Sequence, residues 1–115
     1  MGKLTTHVLD TARGKPAAGI IIELWAGDAA PRKLKTVVTN SDGRIDVPLL
    51  EGADCTSGTY ELRFLAGDYL RDLGTGPEPL FLDIIPIRFA IADASQHYHV
   101  PLLLSPFGYS TYRGS

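Results

Sequence analysis

The chain carries three histidines, and two of them, His97 and His99, stand two residues apart in a β-branched, apolar segment. Side chains alternate across a strand, so this spacing puts both imidazoles on one face. Imidazole takes and gives protons near neutral pH, which suits such a pair to activating water. The three rings could instead ligate a metal, although no common zinc spacing is present. His7 lies in a second strand-like segment, either as a partly buried structural residue or as a partner of the pair. Arg44 directly follows an Asp42-Gly43 turn. That place suits a solvated hairpin end as well as a fork of donors for a planar, anionic ligand. The tail Tyr109-Ser110-Thr111-Tyr112-Arg113-Gly114-Ser115 holds two tyrosines and an arginine after a tight turn, with Ser110 and Tyr112 on one face. It is either an edge strand packing its tyrosines on the body of the fold or part of a site.

Other chemistries lack their residues. There is no Gly-rich phosphate loop, no Gly-x-Ser-x-Gly elbow and no Cys-x-x-Cys pair. Cys55 is the single cysteine, which rules out an intrachain disulfide and fits a reducing compartment. It stands in a Gly/Ser-rich loop with nothing nearby to lower its pKa and reads as a passive thiol. Asp10 and Asp93 border the His-bearing strands and could orient an imidazole, but they read as solvated acids at strand ends.

A chain of 115 residues fits one domain, 1–115, large enough to bury a core without disulfides or metal. A net charge of -2 leaves no basic footprint for nucleic acid. No apolar run approaches the roughly 20 residues of a membrane span. The polar start lacks a signal-peptide core, and the last three residues are not a peroxisomal tripeptide, so the expected location is the cytoplasm.

The elements that must position these residues are mostly strands. Alternating or β-branched runs separated by Gly, Pro, Asn and Asp predict strands over 4–10, 20–25, 34–39, 44–49, 60–65, 84–92, 97–104 and 109–112. Ser41-Asp42-Gly43 predicts a hairpin, and Ser105-Pro106-Phe107-Gly108 a turn that folds the last strand back. One short helix is expected over 67–73, with Tyr69, Leu70 and Leu73 sharing a face and Gly74 as its stop. About eight short strands predict an all-β sandwich or small barrel. Ile85, Ile87, Phe89 and Ile91 share a core face, as do Tyr98, Val100, Leu102 and Leu104. The opposite face of that last strand mixes His97 and His99 with Pro101 and Leu103. A half-apolar outer face predicts cover by another subunit.

Four segments also carry a family resemblance. Leu4-Thr5-Thr6-His7-Val8-Leu9-Asp10, Thr39-Asn40-Ser41-Asp42-Gly43-Arg44, His97-Tyr98-His99-Val100-Pro101-Leu102-Leu103-Leu104-Ser105-Pro106 and Tyr112-Arg113-Gly114-Ser115 resemble, in order, four motifs of the transthyretin-related 5-hydroxyisourate hydrolases. The resemblance runs from Leu4 to Ser115. It implies a transthyretin-like β-sandwich of two four-stranded sheets with one short helix. It implies a homotetramer, a dimer of dimers, with sites in a channel at the dimer–dimer interface. It implies hydrolysis of 5-hydroxyisourate in urate degradation, without cofactor or metal. His7, Arg44, His99 and Ser115 would be catalytic, and His7, Arg44 and Tyr112 would bind substrate. His97 would stand behind them or line the channel. Two rivals remain at this level: a transthyretin-like carrier of an aromatic ligand, which has no need of these polar residues, and a β-sandwich that uses the histidines to hold zinc.

Overall fold

The computed structural model describes residues 2–74 and 77–114. Nine strands and one α-helix follow in chain order: β1 (Lys3–Asp10), β2 (Lys15–Pro16), β3 (Ile21–Ala26), β4 (Arg32–Val38), β5 (Leu50–Glu51), β6 (Gly58–Leu65), α1 (Ala66–Leu73), β7 (Ile84–Ile91), β8 (His97–Ser105) and β9 (Gly108–Thr111). A single 3₁₀ turn covers Gly52–Asp54.

The strands form where polar and apolar residues alternate, because each strand buries one face. In β1, Leu4, Thr6, Val8 and Asp10 are buried, while Lys3, Thr5, His7 and Leu9 face outward. In β8 the inward set is Tyr98, Val100, Leu102 and Leu104. One sheet runs β4-β3-β6-β7. The other is built on a parallel β1–β8 pair, with β9 antiparallel on the far side of β8. Its fourth lateral position is a broken strand. β2 pairs with the end of β1, β5 pairs with its start, and Arg44 bridges to His7 between them. The inner faces meet in one apolar cluster around Leu4, Ile22, Leu62, Phe64, Ile85 and Leu102. Each such side chain stabilises the fold by about 1.5–3 kcal/mol relative to exposure.

Four expectations need correction. Residues 44–49 are not a continuous strand; only Arg44 makes a bridge, and Pro48 has no N–H to extend a ladder. The turn before Arg44 is therefore not a hairpin on β4. Asn40 N–H donates to the Arg44 carbonyl at 2.7 Å, and the chain crosses to the other sheet, where Val8 N–H donates to the Gly43 carbonyl at 2.8 Å. α1 buries Ala66, Gly67, Tyr69 and Leu70 but leaves Leu73 37% exposed, since the chain turns away at Gly74 in a left-handed cap. Asp10 is neither solvated nor near an imidazole. It is 2% exposed and accepts the Tyr69 hydroxyl at 2.8 Å, tying α1 to β1. Asp93 instead closes a local turn by accepting from Ser95.

Candidate active site

The outer face of the β1–β8 pair holds the chemistry. Parallel register sets Thr5 beside His99, Lys3 beside His97 and His7 beside Pro101. Since β1 and β8 alternate in phase, Thr5, His7, His97 and His99 all project to this one face. His7 Nδ1 lies 2.6 Å from His99 Nε2, and the two rings stack at 4.8 Å between centroids. His99 Nδ1 lies 2.7 Å from Thr5 Oγ1, which lies 2.8 Å from His97 Nε2. Both nitrogens of His99 are thereby engaged. His97 is exposed, whereas His99 is only 9% exposed, because the tail lies on it.

The tail reaches the site by continuing the register of β9. Thr111 Oγ1 donates to the Pro101 carbonyl at 2.8 Å, and Gly114 N–H donates to the His99 carbonyl at 2.7 Å. Arg113 points the other way. It stacks its guanidinium 4.0 Å over the Tyr98 ring and donates to Gln96 Oε1 at 2.8 Å. Tyr109 and Tyr112 are exposed rather than packed on the sandwich. Ser115 lies outside the described residues.

These groups surround a cleft of about 440 Å³ lined by Thr5, Thr6, His7, Arg44, Ile45, His97, His99, Tyr112 and Gly114. The volume suits a small-molecule ligand. Arg44 arrives from the crossing segment, with no carboxylate in ion-pair range among the described residues. Burial, then the Arg44 charge, holds the His7 pKa below its usual value. Burial, followed by His7, Arg44 and His97, lowers His99 to about 4. Both rings are neutral at pH 7, as acceptors of a proton from water must be. Among the described residues, no group of three His, Cys, Asp or Glu side chains is arranged to hold a metal ion. Cys55 is buried away from the cleft, and that burial pushes its thiol up.

The structure thus brings together His7, Arg44, His97, His99 and Tyr112. Sequence reasoning passed over Thr5, although its place two residues before His7 puts it on the same face of β1.

Comparison with known proteins shows the family of the chain. The profile of the HIUase/Transthyretin family matches residues 4–114. Over 99% of its length the chain is 63% identical to "5-hydroxyisourate hydrolase 2" of Rhizobium meliloti, covering 97% of that protein. It is 66% identical to the "5-hydroxyisourate hydrolase" of Mesorhizobium japonicum over 99% of its length and 93% of the relative. The solved 5-hydroxyisourate hydrolase of Klebsiella pneumoniae is similar over the full length of both chains, with a TM-score of 0.84 at 34% identity. A solved (S)-allantoin synthase matches with a TM-score of 0.94 at 45% identity over 99% of this chain, which spans 44% of that longer one.

Proposed function

The chain belongs to the HIUase/transthyretin family, and from that premise we propose that it hydrolyses 5-hydroxyisourate, acting as a single transthyretin-like hydrolase domain. Water adds to a ring carbonyl, the carbon–nitrogen bond breaks, and the six-membered ring opens to 2-oxo-4-hydroxy-4-carboxy-5-ureidoimidazoline. This places the chain in urate degradation.

The observation that carries this reading is the hydrogen-bonded His7–His99 pair facing a cleft edged by Arg44, which has no carboxylate in ion-pair range among the described residues. Hydrolysis of a cyclic amide needs a base for water, a cation for the developing oxyanion and walls for a flat ring. The His7–His99 pair takes the proton of the attacking water. General-base help of this kind is worth roughly 10²–10⁴-fold. Arg44 binds the substrate and offsets the charge that develops on the carbonyl oxygen. Tyr112 positions the ring; a catalytic part for Ser115 rests on the family resemblance alone. No covalent nucleophile and no cofactor enter these steps.

The same face also supports a homotetramer, a dimer of dimers with the cleft at the dimer–dimer interface. Leu9 and Leu103 are partly exposed on the outer side of the sheet that carries the catalytic groups, where water would otherwise meet them. No helix among the described residues is long and apolar enough to cross a membrane, and the proposed location is the cytoplasm.

The test is an ultraviolet time course. Urate oxidase generates 5-hydroxyisourate in place, and purified protein is added as its transient absorbance appears. Wild type is expected to hasten the decay far beyond the spontaneous rate, with His99→Ala and Arg44→Ala falling back toward that rate. Unchanged decay with folded, tetrameric wild type would overturn the reading.

A further inference from the structure

Both nitrogens of His99 are occupied, so His99 cannot itself meet the attacking water. The ring nitrogen left for that task is His7 Nε2, which has no hydrogen-bond partner among the described residues of the cleft wall. Behind it runs a continuous line: His7 Nδ1 to His99 Nε2, His99 Nδ1 to Thr5 Oγ1, and Thr5 Oγ1 to His97 Nε2, with separations of 2.6, 2.7 and 2.8 Å. We propose that Thr5 is a positioning residue that joins His99 to His97 through its hydroxyl, making a four-group proton path from the water-facing edge of His7 to the exposed ring of His97. The inference rests on the hydrolase reading above and deepens it.

Hydrogen counting gives the path its direction. A neutral imidazole has one N–H and one lone pair, and a hydroxyl has one hydrogen to donate. If Thr5 donates one of its two bonds and accepts the other, the line has only two polarities. In one, His7 carries its hydrogen on Nε2 and offers water no lone pair. In the other, Thr5 donates to His97 Nε2, His99 donates from Nδ1 to Thr5, and His7 donates from Nδ1 to His99. His7 Nε2 is then a bare acceptor. Only the second arrangement can take a proton from water.

The step balances. The water oxygen forms its bond to the ring carbonyl carbon while one O–H bond breaks and that proton goes to His7 Nε2. The Nδ1 hydrogen of His7 passes to His99 Nε2, the Nδ1 hydrogen of His99 to Thr5 Oγ1, and the Thr5 hydrogen to His97 Nε2. His97 becomes imidazolium and the other rings stay neutral with exchanged tautomers. As the carbon–nitrogen bond breaks, the line runs backward and returns one proton to the leaving nitrogen. The positive charge is thus moved off the Arg44-facing pair and onto the most exposed imidazole. Among the described residues, the charged groups around His97 are Lys3, opposite it on β1, and Arg113, which donates to its carbonyl at 3.3 Å; Arg44 faces the inner rings.

Thr5→Val keeps the side-chain shape and removes the hydroxyl, while Thr5→Ser keeps the hydroxyl. The expected result is a drop in kcat of about 10²-fold for Thr5→Val, KM within about twofold, and recovery in Thr5→Ser. His97→Ala is expected to lose kcat similarly and to regain part of it with added imidazole. Nitrogen-15 spectra of the free wild-type protein at neutral pH report tautomers without turnover, and should show His99 and His97 protonated at Nδ1. Wild-type kcat in Thr5→Val, equal damage from Val and Ser, or His99 protonated at Nε2 would each overturn the relay. If Thr5→Val fails to fold, the exposed His97 variant and the wild-type spectra decide. An inactive wild type would overturn the hydrolase reading instead, while the tautomers still decide the hydrogen-bond line.

Discussion

Gly114 lies directly against His99: its N–H donates to the His99 carbonyl at 2.7 Å, and a Cβ built on it would sit 2.7 Å from His99 Cδ2. The tail is therefore the back wall of the imidazole pair, and its fit requires the absence of a side chain. Gly114→Ala must push either the ring or the tail aside. Displacements of about 1 Å in a catalytic arrangement cost on the order of 10²-fold. The expected outcome is a kcat reduced by about that factor, with the urea midpoint of unfolding near that of wild type.

Arg44 is presented by a second glycine. Gly43 has φ of +72°, and a Cβ there would come 2.5 Å from the Val8 carbonyl oxygen. Gly43→Ala meets both backbone strain and a clash with β1. A cost of about 1–3 kcal/mol in unfolding free energy is expected, with a raised KM as Arg44 shifts out of the cleft. Urea denaturation and steady-state kinetics on the same sample check both parts.

The lowered imidazoles set a pH dependence. His99 has a folded value of about 4 against 6.5 for the free group, and His7 is also lowered. Between those values the unfolded chain binds more protons on His99 than the folded one. Stability therefore falls as pH drops from about 6.5 towards about 4, and below that His99 adds no further loss. The acid limb of kcat is expected below the usual histidine range for the same reason. Because the Arg44 charge contributes to both shifts, Arg44→Ala should move that limb upward in whatever activity remains. A pH–rate profile of the two proteins measures it.

The Asp10–Tyr69 bond anchors α1 to β1 on the core side of the sheet. Tyr69→Phe removes the hydroxyl and leaves a buried carboxylate short of a donor. The expected cost is about 1–3 kcal/mol of stability, read by chemical denaturation, with kcat unchanged because Asp10 faces away from the cleft.

The one-dimensional pattern by itself determined which face each side chain takes. Alternation sent Val100, Leu102 and Leu104 inward and His97 and His99 outward, and the strand periodicity and turn residues set an all-β sandwich or small barrel with one helix, between which the family resemblance chose the sandwich. It misread residues 44–49 as a strand because their β-like composition is local, whereas a ladder needs a partner. Only the tertiary structure supplied that partner, and it offered one bridge, Arg44 to His7, before pairing with β1 resumes at the start of β5. Asp10 was misjudged in the same way, since its burial depends on α1 folding back to bring Tyr69 to it. The parallel pairing of β1 with β8 joins residues more than 90 positions apart. Side-chain periodicity has no memory over that distance, so the sequence pattern names the histidines and the face they share. Which nitrogen meets which, and that Thr5 stands between two of the rings, is decided by strand register in the folded sheet.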